Sequence, residues 1–239
     1  MYKNFVFDIY GTLVDICTNE HELSTWQKLA DTLSFYGVNY TAKELEETYF
    51  ASCELQIAQG KANFRYPEID VVEIFRQICA NKGKKISKTL ATHLAQEFRA
   101  FSTQYIKLYD GVAETLSKLK KAGKKLYILS NAQSCFTHPE ITRLGLRKYF
   151  SGILYSSDCK CAKPDKQFFE TLIQTYNLDK KETIYIGNDA FSDVDGARGA
   201  KIDCLWIKTN LTGNQTPKFA PKFIVADGNF REISKLLLK

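Results

Sequence analysis

The sequence of 239 residues predicts an α/β fold in which a parallel-sheet core is interrupted by a helical insertion. Two observations support this prediction. Beyond Asp110-Gly111, short apolar runs typical of buried strands alternate with helical periodicity, an order that favours right-handed crossovers and a parallel sheet. Between about residues 19 and 104, in contrast, only helical periodicity is found. The apolar run Phe5-Val6-Phe7 precedes that stretch and belongs with the later strands.

The predicted strands of the core are short and apolar, and helices follow most of them. The strands comprise residues 5–7, 126–129, 153–155, 183–186, 204–207 and 223–225. Helices are expected near residues 116–123, 141–144, from 164 onwards, 194–200 and 230–237. Alternation of this kind predicts a Rossmann-like core with helices on both faces of the sheet.

The insertion contains four segments whose apolar residues recur at the spacing of one helix face. Gly37, Gly60 and Gly83 separate these segments, as glycine does at helix ends. Four helices of this length make a compact unit. We therefore predict that residues 1–15 and 105–239 form the α/β core and that residues 16–104 form a four-helix cap domain.

The net charge of +6 is modest and is dispersed along the chain. A short lysine cluster between Lys118 and Lys125 fits the end of a helix, where cations complement the helix dipole. No aromatic residues interleave with it, as a nucleic-acid surface would require. The longest apolar runs, such as Ile184-Tyr185-Ile186, are far too short to cross a bilayer. We therefore expect a small anionic molecule as partner, and neither nucleic acid nor a membrane; the oligomeric state stays open.

Seven cysteines at irregular spacing, an odd number, favour free thiols over a disulfide framework. The first four residues lead directly into a strand, which leaves no room for a signal peptide. Cys159 and Cys161 form a close pair, but no histidine lies near enough in the sequence to complete a zinc site. A cytoplasmic location with reduced cysteines is therefore expected.

Polar residues follow four of the predicted strands, at or soon after the point where each strand ends. They are Asp8 after the first strand, Ser130 and Asn131 after residues 126–129, Lys163 beyond residues 153–155, and Asn188, Asp189 and Asp193 after residues 183–186. Because the carboxyl ends of parallel strands meet at one edge of a sheet, these residues are expected to share one crevice.

These residue types suit hydrolysis through a covalent intermediate. Asp8 can attack phosphorus or carbon and form an ester that water later cleaves. The turn at Gly11 and Thr12 would bring backbone amides close to an anion, and Ser130 would add a hydrogen bond. Lys163 would hold Asp8 and an anionic substrate together. The amide and carboxyl oxygens of the last group are hard ligands that suit magnesium.

The four motifs resemble those of the haloacid dehalogenase superfamily of hydrolases, in the subgroup with a helical cap between the first and second motifs. The resemblance covers the whole chain and rests on Asp8-Ile9-Tyr10-Gly11-Thr12-Leu13-Val14-Asp15, Leu129-Ser130-Asn131, Lys163-Pro164-Asp165 and Gly187-Asn188-Asp189-Ala190-Phe191-Ser192-Asp193. It implies that Asp8 is the nucleophile, that Ser130 binds the anion with its neighbour Asn131, and that Lys163 stabilises charge. The cap would close over the crevice and select the substrate.

One residue departs from the phosphatases of this superfamily. Most of them carry a second aspartate two positions after the nucleophile, which protonates the leaving group and later activates water. Here that position is Tyr10, a neutral phenol that makes a poor general base at neutral pH but can donate a hydrogen bond. Tyrosine at this position resembles the two-haloacid dehalogenases, whose halide leaving group needs no proton.

Other residues depart from those dehalogenases. They use an arginine soon after the first motif to hold the substrate carboxylate and the halide, but no arginine lies between Asp8 and Phe64 in this chain. Phe169 replaces the tyrosine that follows the third-motif lysine by six residues. The acidic fourth motif would repel a substrate carboxylate unless its charge were neutralised.

We therefore expect a magnesium-dependent phosphatase that acts on a small phosphate ester. Magnesium would bind Asp8, the backbone carbonyl of Tyr10 and a pair of fourth-motif residues, in which either Asn188 or Asp189 joins Asp193. The alternatives are a metal-independent 2-haloacid dehalogenase and a non-catalytic descendant that binds a ligand.

Overall fold

The computed structural model describes residues 2–238, so the end residues 1 and 239 of the predicted core lie outside it. Its strands are β1 (Asn4–Phe7), β2 (Val14–Thr18), β3 (Thr103–Leu108), β4 (Lys125–Ser130), β5 (Gly152–Tyr155), β6 (Thr183–Gly187), β7 (Asp203–Ile207) and β8 (Phe223–Val225). Its α-helices are α1 (Leu23–Phe35), α2 (Ala42–Gly60), α3 (Val71–Asn81), α4 (Lys88–Ser102), α5 (Val112–Lys121), α6 (Ser134–Arg143), α7 (Ser156–Cys159), α8 (Lys166–Thr175), α9 (Gly196–Gly199) and α10 (Arg231–Leu237). A π-helical turn, Ala190–Asp195, precedes α9.

Six of the strands form one parallel sheet in the order β5-β4-β1-β6-β7-β8. Every residue of β1 and β6 is buried, as expected of central strands that helices cover on both faces. Alternate side chains of β1 enter two different apolar clusters: Phe5 and Phe7 lie in one, and Val6 lies in the other. The predicted fold class, a parallel-sheet core with helices on both faces, is confirmed.

Helices α1 to α4 follow β2 in the chain and pack around an apolar cluster of their own. The rings of Trp26, Tyr49 and Phe98 lie at its centre, with centroids 4.9–5.2 Å apart. Thr41 and Ser87 begin α2 and α4 by accepting hydrogen bonds from backbone amides of the first turn. Four helices are therefore present in the stretch predicted as a cap, while its assignment as a domain stays a prediction.

A two-stranded antiparallel ribbon joins these helices to the sheet, and the sequence analysis missed it. Strands β2 and β3 pair so that Val14 faces Leu108 and Asp15 faces Lys107. Because β3 begins at Thr103, the prediction of purely helical structure up to residue 104 is wrong at its end. No residue of β3 is fully buried, so this strand lacks the apolar run that reveals the strands of the core.

Two helical segments of the core begin earlier than predicted. Helix α6 begins at Ser134 rather than near residue 141, and it contains Pro139, a residue that disfavours the helix interior. The helix expected near residues 194–200 is preceded by the π-helical turn, which begins at Ala190. The early turns of both segments contain polar residues, so their apolar periodicity does not mark where they start.

The lysine cluster lies where the sequence predicted it. Lys118, Lys120 and Lys121 occupy the last turn of α5, which confirms its interpretation as a helix end. The seven cysteines, all within the described range, form no disulfide. Among residues 2–238, none of the helices combines the length and the hydropathy that crossing a membrane would require.

Candidate active site

The carboxyl edge of the central strands carries the predicted residues. Because β1 lies between β4 and β6, the residues that end or follow these strands meet there. Asp8 follows β1, Ser130 ends β4, and Asn188 follows β6. Lys163 reaches the same place from the loop before α8. They line a cavity of about 240 Å³ together with Tyr10, Asn131, Asp189, Ser192, Asp193 and Leu211.

Lys163 connects the buried charges of this cavity. Its Nζ donates hydrogen bonds to Asp8 Oδ1 and Asp193 Oδ1, both at 2.7 Å, and its side chain is 2% exposed. Burial alone would lower the pKa of Lys163, but the charges of Asp193 and Asp8 outweigh it and raise the pKa. Lys163 therefore stays protonated and holds two carboxylates that would otherwise repel each other.

Asp193 lies deepest in this group. Its Oδ1 accepts from Lys163 and from the Tyr185 hydroxyl at 2.9 Å, while its Oδ2 accepts from the backbone amide of Asp189 at 2.9 Å. Burial raises the pKa of Asp193 to about 6, although the charge of Lys163 offsets part of that effect. Asp193 is thus ionised at neutral pH, and both of its oxygens are engaged.

Tyr185 is a site residue that the sequence analysis assigned only to a buried strand. Its hydroxyl accepts a hydrogen bond from Lys163 Nζ at 2.8 Å and donates to Asp193. The ring of Phe169 packs edge-on against Tyr185, with centroids 5.4 Å apart. The hydroxyl beside Lys163 therefore comes from β6 rather than from position 169. A tyrosine in an otherwise aliphatic run was the signal that could have revealed it, since a buried hydroxyl needs a partner.

Asp8 has one engaged and one nearly free carboxylate oxygen. Oδ1 accepts from Ser130 Oγ at 2.8 Å and from Lys163. Oδ2 accepts only a long hydrogen bond, 3.4 Å, from Thr12 Oγ1. Asp8 is 6% exposed and lines the cavity. The carboxylate is thus held in one orientation with an oxygen left to react, as a nucleophile requires.

The structure distinguishes Asn188 from Asp189, which the sequence left as alternatives. Asn188 is 5% exposed, and its Oδ1 accepts from Thr12 Oγ1 at 3.2 Å. Asp189 Oδ1 instead caps the π-helical turn by accepting from the backbone amides of Phe191 and Ser192. Its Oδ2 accepts from Gln215 Nε2 at 2.8 Å. Asn188 therefore shares the Thr12 hydroxyl with Asp8, whereas the Asp189 carboxylate is engaged by the following turn and by Gln215.

Gly11 allows the first-motif turn to lie against Asn188. Its φ is +81°, and a Cβ at this position would lie 2.4 Å from Asn188 Nδ2. The amides of Gly11 and Thr12, which the sequence analysis predicted to lie close to an anion, donate to the Val14 and Ile9 carbonyls within the turn. The amide of Tyr10, in contrast, donates no hydrogen bond within residues 2–238.

Asn131 holds the loop that carries Lys163. Its Oδ1 accepts from the Lys163 amide at 2.7 Å, and its Nδ2 donates to the Lys163 carbonyl at 3.0 Å. The sequence analysis predicted that Asn131 contacts substrate; its side-chain amide is instead engaged with the backbone. Asn131 thus fixes the position from which the Lys163 ammonium reaches Asp8.

The Tyr10 side chain makes its hydrogen bonds away from Asp8. Its hydroxyl donates to Glu140 of α6 and lies 2.9 Å from Thr137 Oγ1. Burial and the charge of Glu140 raise the pKa of Tyr10, so this phenol stays neutral. The sequence analysis predicted Tyr10 as a catalytic residue that could donate a hydrogen bond in the site, and in the structure that hydroxyl is committed to Glu140.

An arginine lies beside Tyr10 after all, although the sequence search up to Phe64 found none. Arg99 of α4 has its guanidinium 5.2 Å from the centroid of the Tyr10 ring, and its Nε donates to Glu140 Oε1 at 2.8 Å. The Arg99 and Glu140 side chains are only 14% and 13% exposed. Arg99 lies near the end of α4, the last helix before the chain returns to the sheet, and therefore well beyond the stretch from Asp8 to Phe64.

Removing the charge of Glu140 should destabilise the protein. In Glu140→Gln, Arg99 keeps its buried guanidinium but loses the carboxylate, so the free energy of unfolding should fall by about 3 kcal/mol. Glu47→Gln is the matched control, since the Lys43–Glu47 pair has side chains 81% and 67% exposed. That variant should lose less than about 1 kcal/mol. Urea denaturation of both variants measures the difference, and equal small losses would contradict a buried ion pair.

The oxygens around Asp8 suit a magnesium ion. Within residues 2–238, no three carboxylate, histidine or cysteine side chains come close enough together to form a metal cage. Asp8 Oδ2 and Asn188 Oδ1, however, both lie near the Thr12 hydroxyl. Magnesium commonly binds one or two carboxylates, keeps several waters and completes its shell with substrate oxygens. One carboxylate with neutral oxygens beside it fits that requirement, whereas both oxygens of Asp193 are already engaged.

Comparison with known proteins places this chain in a family. A family model for haloacid dehalogenase-like hydrolases matches residues 2–201. The chain is 27% identical over 216 residues to the (S)-2-haloacid dehalogenase of Pseudomonas sp. strain YL, covering 89% of this chain and 84% of that protein. It is 24% identical over 226 residues to pyrophosphatase PpaX of Oceanobacillus iheyensis, covering 94% and 92%.

A solved structure shows the same fold. The HAD-hydrolase YfnB of Bacillus subtilis bound to magnesium matches with a TM-score of 0.58 and 21% identity, over 99% of this chain and 98% of that one. The resemblance predicted from the four motifs is therefore confirmed, and the chain belongs to the haloacid dehalogenase-like hydrolases.

Proposed function

We propose that this chain is a magnesium-dependent phosphatase that hydrolyses a small phosphate compound through a covalent intermediate on Asp8. The observation that carries the proposal is the state of the Asp8 carboxylate. Ser130 and Lys163 fix Oδ1, while Oδ2 accepts only one long hydrogen bond. An anionic substrate would find a free backbone amide at Tyr10 beside this nucleophile.

The charge balance of the cavity supports a metal ion. The carboxylates of Asp8, Asp189 and Asp193 line the cavity together with one cation, Lys163, so a phosphate dianion would be repelled without another cation. Asp8, Asn188 and the carbonyl of Tyr10 would hold magnesium, which would supply that charge and orient the phosphate. The Lys163 ammonium would remain between the carboxylates of Asp8 and Asp193 and stabilise negative charge as the phosphorus is attacked.

The proposal is tested with an activated aryl phosphate, 4-nitrophenyl phosphate. Wild-type protein freed of metal by a chelator should show no turnover, and addition of magnesium should restore it. The measurement is release of nitrophenolate and of inorganic phosphate in equal amounts. Turnover that does not depend on magnesium, or no turnover of any activated phosphate with magnesium present, would overturn the proposal.

A second candidate, a 2-haloacid dehalogenase, is favoured by the arginine that the structure places over Tyr10. Arg99 could offer a cation to a substrate carboxylate if Glu140 released it. Against this, Arg99 does not line the cavity beside Asp8, and its guanidinium is already paired with Glu140. Halide release from 2-chloropropionate in the absence of metal is the assay that would favour this candidate over the phosphatase.

A further inference from the structure

The cavity beside Asp8 contains no group that can hand a proton to a departing oxygen. Tyr10 is the residue two positions beyond the nucleophile, and its hydroxyl is bound to Glu140 and Thr137. Lys163 has its ammonium protons engaged by Asp8, Asp193 and Tyr185. Neither side chain therefore presents a free proton to the cavity.

The remaining acids of the cavity are no better placed. Asp193 has both oxygens engaged and lies fully buried behind Lys163. Both carboxylate oxygens of Asp189 are engaged as well, Oδ1 by the backbone amides of Phe191 and Ser192 and Oδ2 by Gln215 Nε2. No histidine lines the cavity among residues 2–238. General acid catalysis contributes about 10²–10⁴-fold to rates, so its absence restricts the substrates that can react.

We infer that the natural substrate carries a leaving group that departs without a proton, as an acyl phosphate, a phosphoanhydride or an aryl phosphate does. This inference rests on the proposed phosphatase function and narrows its substrate class. Simple alkyl phosphates, whose alkoxide leaving groups are strongly basic, are excluded from efficient turnover. The inference depends on two neighbouring features: the Tyr10 hydroxyl is bound to Glu140 and Thr137, and the nucleophile Asp8 keeps an oxygen that is free to react.

The reaction balances without an acid. An Asp8 oxygen forms a bond to phosphorus, the bond from phosphorus to the leaving oxygen breaks, and that oxygen departs as an anion with the electron pair. A water oxygen then bonds to phosphorus, the bond to Asp8 breaks, and the carboxylate is restored. The two protons of that water end on the phosphate product, which exchanges them with solvent.

The test is the dependence of kcat/KM on the acidity of the leaving group, measured with magnesium on the wild-type protein. The panel contains acetyl phosphate, inorganic pyrophosphate, aryl phosphates of graded phenol pKa and two alkyl phosphates. The rate constant kcat/KM covers the steps up to transfer of the phosphoryl group, so slow loss of phosphate from Asp8 cannot mask the dependence. Alkyl phosphates should react at least about 10²-fold more slowly than 4-nitrophenyl phosphate.

Two variants of Tyr10 test whether a missing acid causes the difference between aryl and alkyl phosphates. Tyr10→Asp introduces a carboxyl at the position of the absent acid and should reduce the difference between aryl and alkyl phosphates. Tyr10→Phe, which also loses the bond to Glu140 but adds no acid, should keep the wild-type difference. Circular dichroism and thermal unfolding establish that both variants fold, and the wild-type panel decides the question even where one does not.

Two results would overturn the inference while leaving the phosphatase intact. One is an equal kcat/KM for aryl and alkyl phosphates in the wild-type protein. The other is a small wild-type difference that increases in Glu20→Gln. Glu20 lies in the loop before α1 and does not line the cavity, but burial raises its pKa. The second result would therefore mean that Glu20 supplies the proton from outside the cavity. Failure of the phosphatase proposal itself would appear differently, as no turnover even of acetyl phosphate and 4-nitrophenyl phosphate.

Discussion

Lys163→Met should lose both activity and stability. The variant leaves Asp8 and Asp193 facing each other, 6% and 0% exposed, without the ammonium that now binds both. Removing one partner of a buried ion pair costs about 3–5 kcal/mol, so the free energy of unfolding should fall by that amount at pH 7. Phosphatase activity should fall by at least about 10²-fold, because Lys163 opposes the negative charge at the reacting phosphorus.

The destabilisation of Lys163→Met should depend on pH in a definite direction. Burial already raises the pKa of Asp193 to about 6, and loss of Lys163 removes a charge that lowers it. The folded variant then binds a proton at a higher pH than the unfolded chain does, so its deficit in stability should shrink as the pH falls from 7 to 5. A deficit that grows over that range would contradict the buried carboxylate pair as its cause.

Two further variants separate electrostatics from packing. Lys222→Met removes one partner of an exposed ion pair, in which Lys222 Nζ lies 2.6 Å from Asp203 Oδ2, and should cost less than about 1 kcal/mol. The double variant Lys163→Met/Asp193→Asn removes one of the two uncompensated charges and should recover most of the lost stability. It should not recover activity, because the ammonium beside Asp8 is still missing.

How far the site could be predicted depends on how each residue reaches it. Asp8, Ser130 and Asn188 follow or end adjacent parallel strands, and parallel strands bring their carboxyl ends together whatever the rest of the chain does. Their convergence therefore follows from strand order alone. Lys163 enters from a loop, but its position after β5 is consistent with the same rule.

Residues whose role depends on side-chain direction could not be predicted in this way. Asn188 and Asp189 are neighbours, yet the side chain of Asn188 binds the Thr12 hydroxyl beside Asp8 while that of Asp189 caps the following turn. Tyr185 lies within a strand, and only its buried hydroxyl shows that it belongs to the site. Strand order predicts which residues lie near one another, but the hydrogen bonds determine which of their atoms are free to bind or react.

Contacts between distant segments were the other limit. Arg99 and Glu140 meet over Tyr10 only because α4 packs against α6, and no local pattern in either helix records that meeting. The ribbon of β2 and β3 was missed for a related reason, since a strand without a buried face carries no apolar alternation. Both features depend on contacts between segments far apart in the sequence, which local patterns of apolar residues do not reveal.

Asp8→Asn should abolish activity without unfolding the protein. An amide cannot form the covalent phosphoryl ester, so kcat/KM for 4-nitrophenyl phosphate should fall by about 10⁴-fold or more. The amide oxygen can still accept from Ser130 and Lys163, and Lys163 retains Asp193. Since one of two buried negative charges is removed, the midpoint of thermal unfolding should stay the same or rise, as is common when a strained active site is relieved.

Asp15→Asn is the matched control, because Asp15 is 7% exposed, close to the value for Asp8, and does not line the cavity. Its Oδ1 accepts from Asn210 Nδ2 at 3.0 Å and from the Tyr105 hydroxyl at 3.3 Å, and its Oδ2 lies 3.5 Å from Lys107 Nζ. The substitution keeps the two hydrogen bonds but removes the ion pair, so it should lower stability slightly while activity persists. Mass spectrometry after mixing with acetyl phosphate and magnesium should find a phosphoryl adduct on wild type and Asp15→Asn but not on Asp8→Asn. An adduct on Asp8→Asn, or retained turnover, would show that another residue is the nucleophile. The opposite responses of two similarly buried carboxylates thus separate a carboxylate held ready to react from one that only supports the fold.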